Sequence, residues 1–82
     1  MIDKNSPIPR YYQIAELLRE QIAAGELPGG ARLPSERELS EQLGVSRMTV
    51  RQALNYLQSD GLIEIHQGIG AFVASPKQTY DV

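Results

Sequence analysis

The chain has no cysteine and one histidine. Disulfides and thiolate metal sites are therefore excluded, and a lone imidazole does not assemble a metal centre. No apolar run approaches the roughly 18 residues of a membrane helix, and the N-terminus lacks the charged-then-apolar layout of a signal peptide. Also missing are a paired-carboxylate pocket, a nucleophile–base pair and a phosphate-cradling loop, so no catalytic, cofactor-binding or metal-binding residue is assigned. An excess of positive charge is lacking too, with a net charge of −2 over 82 residues. Domains that hold nucleic acid are often basic, because phosphate neutralisation supplies much of their affinity. What remains is one small domain, 41% hydrophobic and 22% charged, with an ordinary globular composition. The cytoplasm is its simplest setting.

The charge that is present is unevenly placed. Acids recur at Glu16, Glu20, Glu26, Glu36, Glu38, Glu41 and Glu64, yet Arg47 to Gln58 contains two arginines and no acid. A local basic stripe can bind DNA on an acidic body, weakly alone and more strongly as a dimer.

The segment Ser6-Pro7-Ile8-Pro9 reads as an extended lead-in over residues 1–9. From Arg10 to Ala24, Ile14, Leu17, Leu18 and Ile22 fall at helical spacing, and Gly25 supplies a stop. Leu27-Pro28-Gly29-Gly30 is a turn, and Arg32-Leu33 has room for a very short strand. Ser35 with Glu38 forms the S-x-x-E capping box, which opens a second helix that Gly44 ends. After a tight turn, Ser46 caps a third helix running to about Ser59, closed by Asp60-Gly61. Its apolar side carries Val50, Ala53, Leu54 and Leu57. Met48, Gln52 and Asn55 lie opposite, with Arg47 and Arg51 one turn apart at the margin. Ile63-Glu64-Ile65 and Ala71-Phe72-Val73 alternate as strands about a hairpin loop, His66 to Gly70. Residues 76–82 show no periodicity and read as the start of a linker.

These elements specify an α+β, mostly α, winged helix–turn–helix: three helices and a small β-hairpin wing in residues 10–75. The expected core is Ile14, Leu17, Leu18, Ile22, Leu39, Leu43, Val45, Val50, Leu54, Leu57, Ile63 and Phe72. The third helix, second of the helix–turn–helix, opens with a hydroxyl and two arginines and is suited to the DNA major groove. Arg47 and Arg51 match the O6/N7 acceptor pair of guanine, an interaction worth about 1–3 kcal/mol of discrimination. Ser35 and Ser46 are caps whose helix N-termini also present amides to phosphate. Thr49 is placed for a phosphate or a thymine methyl. Gln52 suits adenine, and Asn55 does so less strongly.

The runs Leu33-Pro34-Ser35-Glu36-Arg37-Glu38-Leu39, Gly44-Val45-Ser46-Arg47-Met48-Thr49-Val50-Arg51-Gln52-Ala53-Leu54, Gly61-Leu62-Ile63 and Gly68-Ile69-Gly70-Ala71-Phe72-Val73 resemble the DNA-binding domain of GntR-family transcription regulators. The likeness covers roughly residues 9–75. The opening Pro7-Ile8-Pro9-Arg10-Tyr11-Tyr12-Gln13-Ile14 looks most like the HutC subfamily, whose members carry a C-terminal effector-sensing domain that is absent here. The resemblance implies DNA contacts at Arg37, Ser46, Arg47, Thr49 and Arg51, with the wing tip, Gln67 and Gly68, in the minor groove and His66 near a phosphate. It implies a homodimer on an inverted-repeat operator, usually repressing, and released by a small molecule bound to the missing domain. Members commonly carry arginine or lysine around positions 66, 67 and 69, and this chain has none. Two alternatives stay open: a winged helix that binds protein, and a partner domain of the aminotransferase-like, pyridoxal-phosphate-binding kind seen in the MocR branch.

Overall fold

The computed structural model describes residues 2–75. Helices α1 (Arg10–Ala23), α2 (Glu36–Leu43) and α3 (Arg47–Ser59) precede an antiparallel hairpin of β1 (Ile63–His66) and β2 (Gly70–Val73). The expected winged helix–turn–helix is the observed fold. None of its helices is long and apolar enough to cross a membrane. The residues read as a linker, 76–82, lie outside the described part.

Local chemistry sets the helix ends. The Ser35 hydroxyl accepts from the Glu38 amide at 3.0 Å, while the Glu38 carboxylate accepts from the Ser35 amide at 2.8 Å, so the capping box is complete. Between α2 and α3 the chain reverses at Gly44, whose φ of 68° is the left-handed conformation that favours glycine. The Gly44 amide donates to Ser40 O at 2.9 Å, and the Ser40 hydroxyl donates to Val45 O at 2.7 Å, fixing the turn. α3 closes with two backbone bonds, Leu62 N to Leu57 O at 3.0 Å and Gly61 N to Gln58 O at 2.9 Å.

The lead-in is not extended as expected. Residues 4–8 turn and bend, because Gln13 on α1 gathers them. Its amide accepts from Asp3 N at 2.7 Å and donates to the carbonyls of Asp3 and Ile8, both at 2.9 Å. Prolines 7 and 9 forbid helix there without requiring a straight chain.

α3 is the centre of the molecule and packs on α1, α2 and β1. Its Val50, Ala53, Leu54 and Leu57 join Ile14, Ala15, Leu18, Leu33, Leu39, Val45, Ile63, Ala71 and Val73 in one buried cluster. Leu17, Ile22 and Leu43 are only partly buried. No polar or charged side chain is buried among the described residues. At the far end of α3, Tyr56 meets Tyr11 edge-on at 6.0 Å and Tyr12 at 5.8 Å. Arg19 joins Asp60 at 2.7 Å and Glu16 at 3.1 Å. Its cation sits where Asp60 opposes the α3 dipole.

Two expectations for the wing need correction. The loop is Gln67–Ile69, three residues, since His66 and Gly70 are paired strand ends. Phe72 is outside the core. Register pairs Ile63 with Val73 and Ile65 with Ala71, so Ala71 and Val73 share the inward face of Ile63. Phe72 lies opposite Glu64 on the other face and meets the His66 ring at 5.6 Å. The short strand suggested at Arg32-Leu33 exists as a single bridge, Arg32 with Phe72. Leu33 N to Ala71 O and Val73 N to Ala31 O, each 2.8 Å, dock this segment along β2.

Candidate nucleic-acid interface

The start of α2, the first turn of α3 and the wing surround a groove of about 440 Å³. Of the residues singled out in the sequence, Ser35, Arg37, Arg47, His66, Gln67 and Gly68 line it. Ser46, Thr49, Arg51 and Gln52 do not. They belong to the N-terminal end and outward side of α3, where Arg51, Gln52 and Asn55 are exposed.

Each polar group has a distinct state. The Ser46 hydroxyl accepts from Thr49 N at 3.1 Å and shares a 2.9 Å hydrogen bond with the Thr49 hydroxyl. It caps α3 and pairs the two hydroxyls at its end. Arg47 is exposed and has no ion pair among the described residues, so it is ready for an anion. Arg37 pairs with Glu41 one turn on, Nε to Oε2 at 3.3 Å, with both side chains mostly exposed. Such a pair is weak and easily exchanged. Arg51 donates through Nε (2.9 Å) and Nη2 (3.0 Å) to the two carboxylate oxygens of Glu36. Those bonds hold the Glu36 carboxyl below its usual range, against burial that raises it; charge attraction from Arg51 and Arg47 adds to the lowering. His66 Nε2 lies 3.3 Å from Glu64 Oε1, so its ring is engaged on the outer wing face.

Three residues at this surface were missed in the sequence. Arg32 donates from Nη2 to Ile69 O at 2.8 Å, bringing a guanidinium to a wing with no arginine or lysine of its own. It lies across Gly70, where an added Cβ would be 2.9 Å from Arg32 Nε. Gly70 has a φ of 144°, a backbone conformation that favours glycine, while the Arg32 end is flexible enough to yield. Glu36 is the second, as the partner of Arg51. Ile69, 63% exposed at the wing tip, is the third. Met48, expected on the outward face of α3, is found there, 71% exposed. Arg32 and Glu36 left no local trace, because each meets its partner across a long stretch of chain.

Comparison with known proteins places this geometry. Residues 10–73 match the model of the bacterial regulatory proteins, gntR family. The HTH-type transcriptional repressor NagR of Bacillus subtilis (strain 168) is 58% identical over 76 residues, covering 93% of this chain and 31% of NagR. A histidine utilization repressor of Pseudomonas aeruginosa is 49% identical over 71 residues, covering 87% of this chain and 28% of that protein. The chain thus spans about a third or less of the length of these curated relatives. Among solved structures, YtrA from Sulfolobus acidocaldarius, a GntR-family transcription factor, superposes with a TM-score of 0.86 at 44% identity, covering 94% of this chain and 81% of that one. AraR(DBD) in complex with operator ORX1 does so at 0.84 and 37%, covering 90% and 95%. With the family model matched over most of its length, this chain belongs to the gntR family of bacterial regulatory proteins.

Proposed function

We propose that the chain is the operator-reading module of a bacterial transcription regulator, binding double-stranded DNA with α3 in the major groove and the wing tip against the minor groove. The observation that carries this is the shared groove. Arg37 and Arg47 face the wing tip across it, while Arg51 and Gln52 stand on the adjoining outer face of α3. AraR(DBD), whose structure contains an operator, has the same fold.

In this reading Arg47 and Arg37 take phosphates or base edges, and Arg51 reads a guanine. The hydroxyls of Ser35, Ser46 and Thr49 stand at helix starts that favour phosphate. Gln52 reaches an adenine, and Met48 offers an apolar contact to a thymine methyl. His66, Gln67 and Gly68 form the wing contact. Residues 76–82 lead toward an effector-binding domain, through which a small molecule would release a homodimer from an inverted repeat in the cytoplasm. Repression is the expected sense, as with the NagR and histidine utilization repressors.

Selection from a randomised duplex pool, followed by fluorescence anisotropy at two salt concentrations, tests the reading. One half-site is expected to be enriched. With three to five phosphate contacts per module, log affinity is expected to fall with log salt at a slope of roughly −3 to −4.5. Salt-independent binding or none would favour a protein partner instead. Salt-dependent binding without enrichment would assign the lone module to phosphates and specificity to the dimer.

A further inference from the structure

Glu36 is a carboxylate on a surface that would meet phosphates. It stands at the first position of α2, and its side chain is 26% exposed. An acid there complements the helix dipole. That role needs no cation from another helix, yet Glu36 takes two hydrogen bonds from Arg51 on α3.

The stereochemistry of the pair is informative. A guanidinium carries five N–H donors in a planar fork. Here the Nε–Nη2 edge is filled by the two carboxylate oxygens. The end-on edge keeps one N–H from Nη1 and the second from Nη2, parallel and in the same plane. No hydrogen bond occupies that edge among the described residues, and the Arg51 side chain is 54% exposed. This edge is shaped for two acceptors side by side, such as O6 and N7 of guanine.

We propose that Glu36 is a positioning residue for base reading: it holds Arg51 in one plane with the Nη1–Nη2 edge turned outward, and its charge penalises duplexes that lack the matching guanine. The inference rests on the DNA-binding reading above. A guanidinium held before binding loses less side-chain freedom on meeting its base. The carboxylate meanwhile lowers affinity for every duplex through its repulsion of phosphate. Only where Arg51 gains two base bonds is that cost offset, so specificity rises as general affinity falls. Arg47 is attracted by the Glu36 charge but makes no hydrogen bond to it among the described residues, so it is not held in one plane.

The test uses the duplex enriched by the wild-type chain and a scrambled duplex of equal composition. Each guanine is replaced singly by 7-deazaguanine, which lacks the N7 acceptor. Anisotropy is measured on the wild type, Arg51→Ala, Glu36→Gln and Glu36→Ala, with thermal melts confirming folding. The position where 7-deazaguanine weakens the wild type but not Arg51→Ala belongs to Arg51. There the penalty is expected to fall from about tenfold to about threefold or less in both Glu36 variants. Binding to the scrambled duplex is expected to tighten about two- to fivefold. An unchanged penalty in both variants overturns the proposal and leaves the pair a tie between helices. An equal loss at every guanine also overturns it, because positioning acts on one base. Salt-dependent binding with no duplex enriched also overturns the proposal, because the lone module then reads no base, whereas no salt-dependent binding at all refutes the DNA reading itself; both are seen before either Glu36 variant is made.

Discussion

A single side chain at this interface is defined by what already holds it. Arg47 is held by nothing among the described residues, so removing it leaves no orphaned partner. Arg47→Ala is expected to cut affinity for the selected duplex by more than about tenfold, while its melting temperature stays within about 2 °C of the wild type. Anisotropy and a circular-dichroism melt separate the two effects. The Glu36–Arg51 pair responds to pH. Its bond from Arg51 depresses the Glu36 carboxyl, so the stabilisation is fully present above the ordinary glutamate value. It is lost as pH falls through the lower folded value. Denaturant titrations below about pH 4.3 are expected to show stability falling more steeply in the wild type than in Glu36→Gln. Contacts of this kind also mark how far a sequence can be read. Ser35 and Glu38 were legible because a cap is local chemistry. The Arg51–Glu36 bond joins residues 15 apart, and the sequence offers no periodic sign of it.

At the scale of helices and strands, the helix boundaries were legible and the hairpin less so. Ser35, Gly44, Ser46 and Gly61 each act within a turn of the chain, so α2 and α3 end where their residues require. Phe72 misled because its size suggested burial, whereas its face is set by its cross-strand partner. A five-residue loop over residues 66–70 and the observed three-residue loop give the same register, with Ile65 opposite Ala71 and Ile63 opposite Val73. The expected loop therefore already set Phe72 opposite Glu64, on the face away from Ile63. Two substitutions probe these elements. Ser35→Ala breaks the capping box and is expected to cost about 1 kcal/mol in a urea titration. Gly70→Ala forces a side chain onto a φ of 144° and against Arg32. It is expected to cost about 1–3 kcal/mol. Exchange of the Ile69 and Gly70 amides would quicken if the wing loosens as expected.

The molecule as a whole is organised around α3, which supplies one face to the core and another to solvent. Leu57 is 0% exposed at the meeting point of the helices. Leu57→Ala is expected to cost about 2–5 kcal/mol. Domains of this size hold roughly 4–12 kcal/mol in total. Urea denaturation is expected to show a midpoint far below that of the wild type. Net charge was the poorest guide at this scale. The value of −2 averages the arginines of α3 with acids on α1 and α2, so the local arrangement decides what the surface can meet.

The dry interior has a consequence of its own. Since no ionisable side chain is buried among the described residues, acid finds nothing to charge inside the molecule. Its targets are surface carboxylates, and Glu36, held low by Arg51, is late among them. Acid strong enough to reach Glu36, below the ordinary glutamate range, is therefore expected to uncouple recognition from folding: the helices persist in their far-ultraviolet signal while the preference for one guanine fades. Neutralising the solution would restore that preference within mixing time, because nothing has to refold.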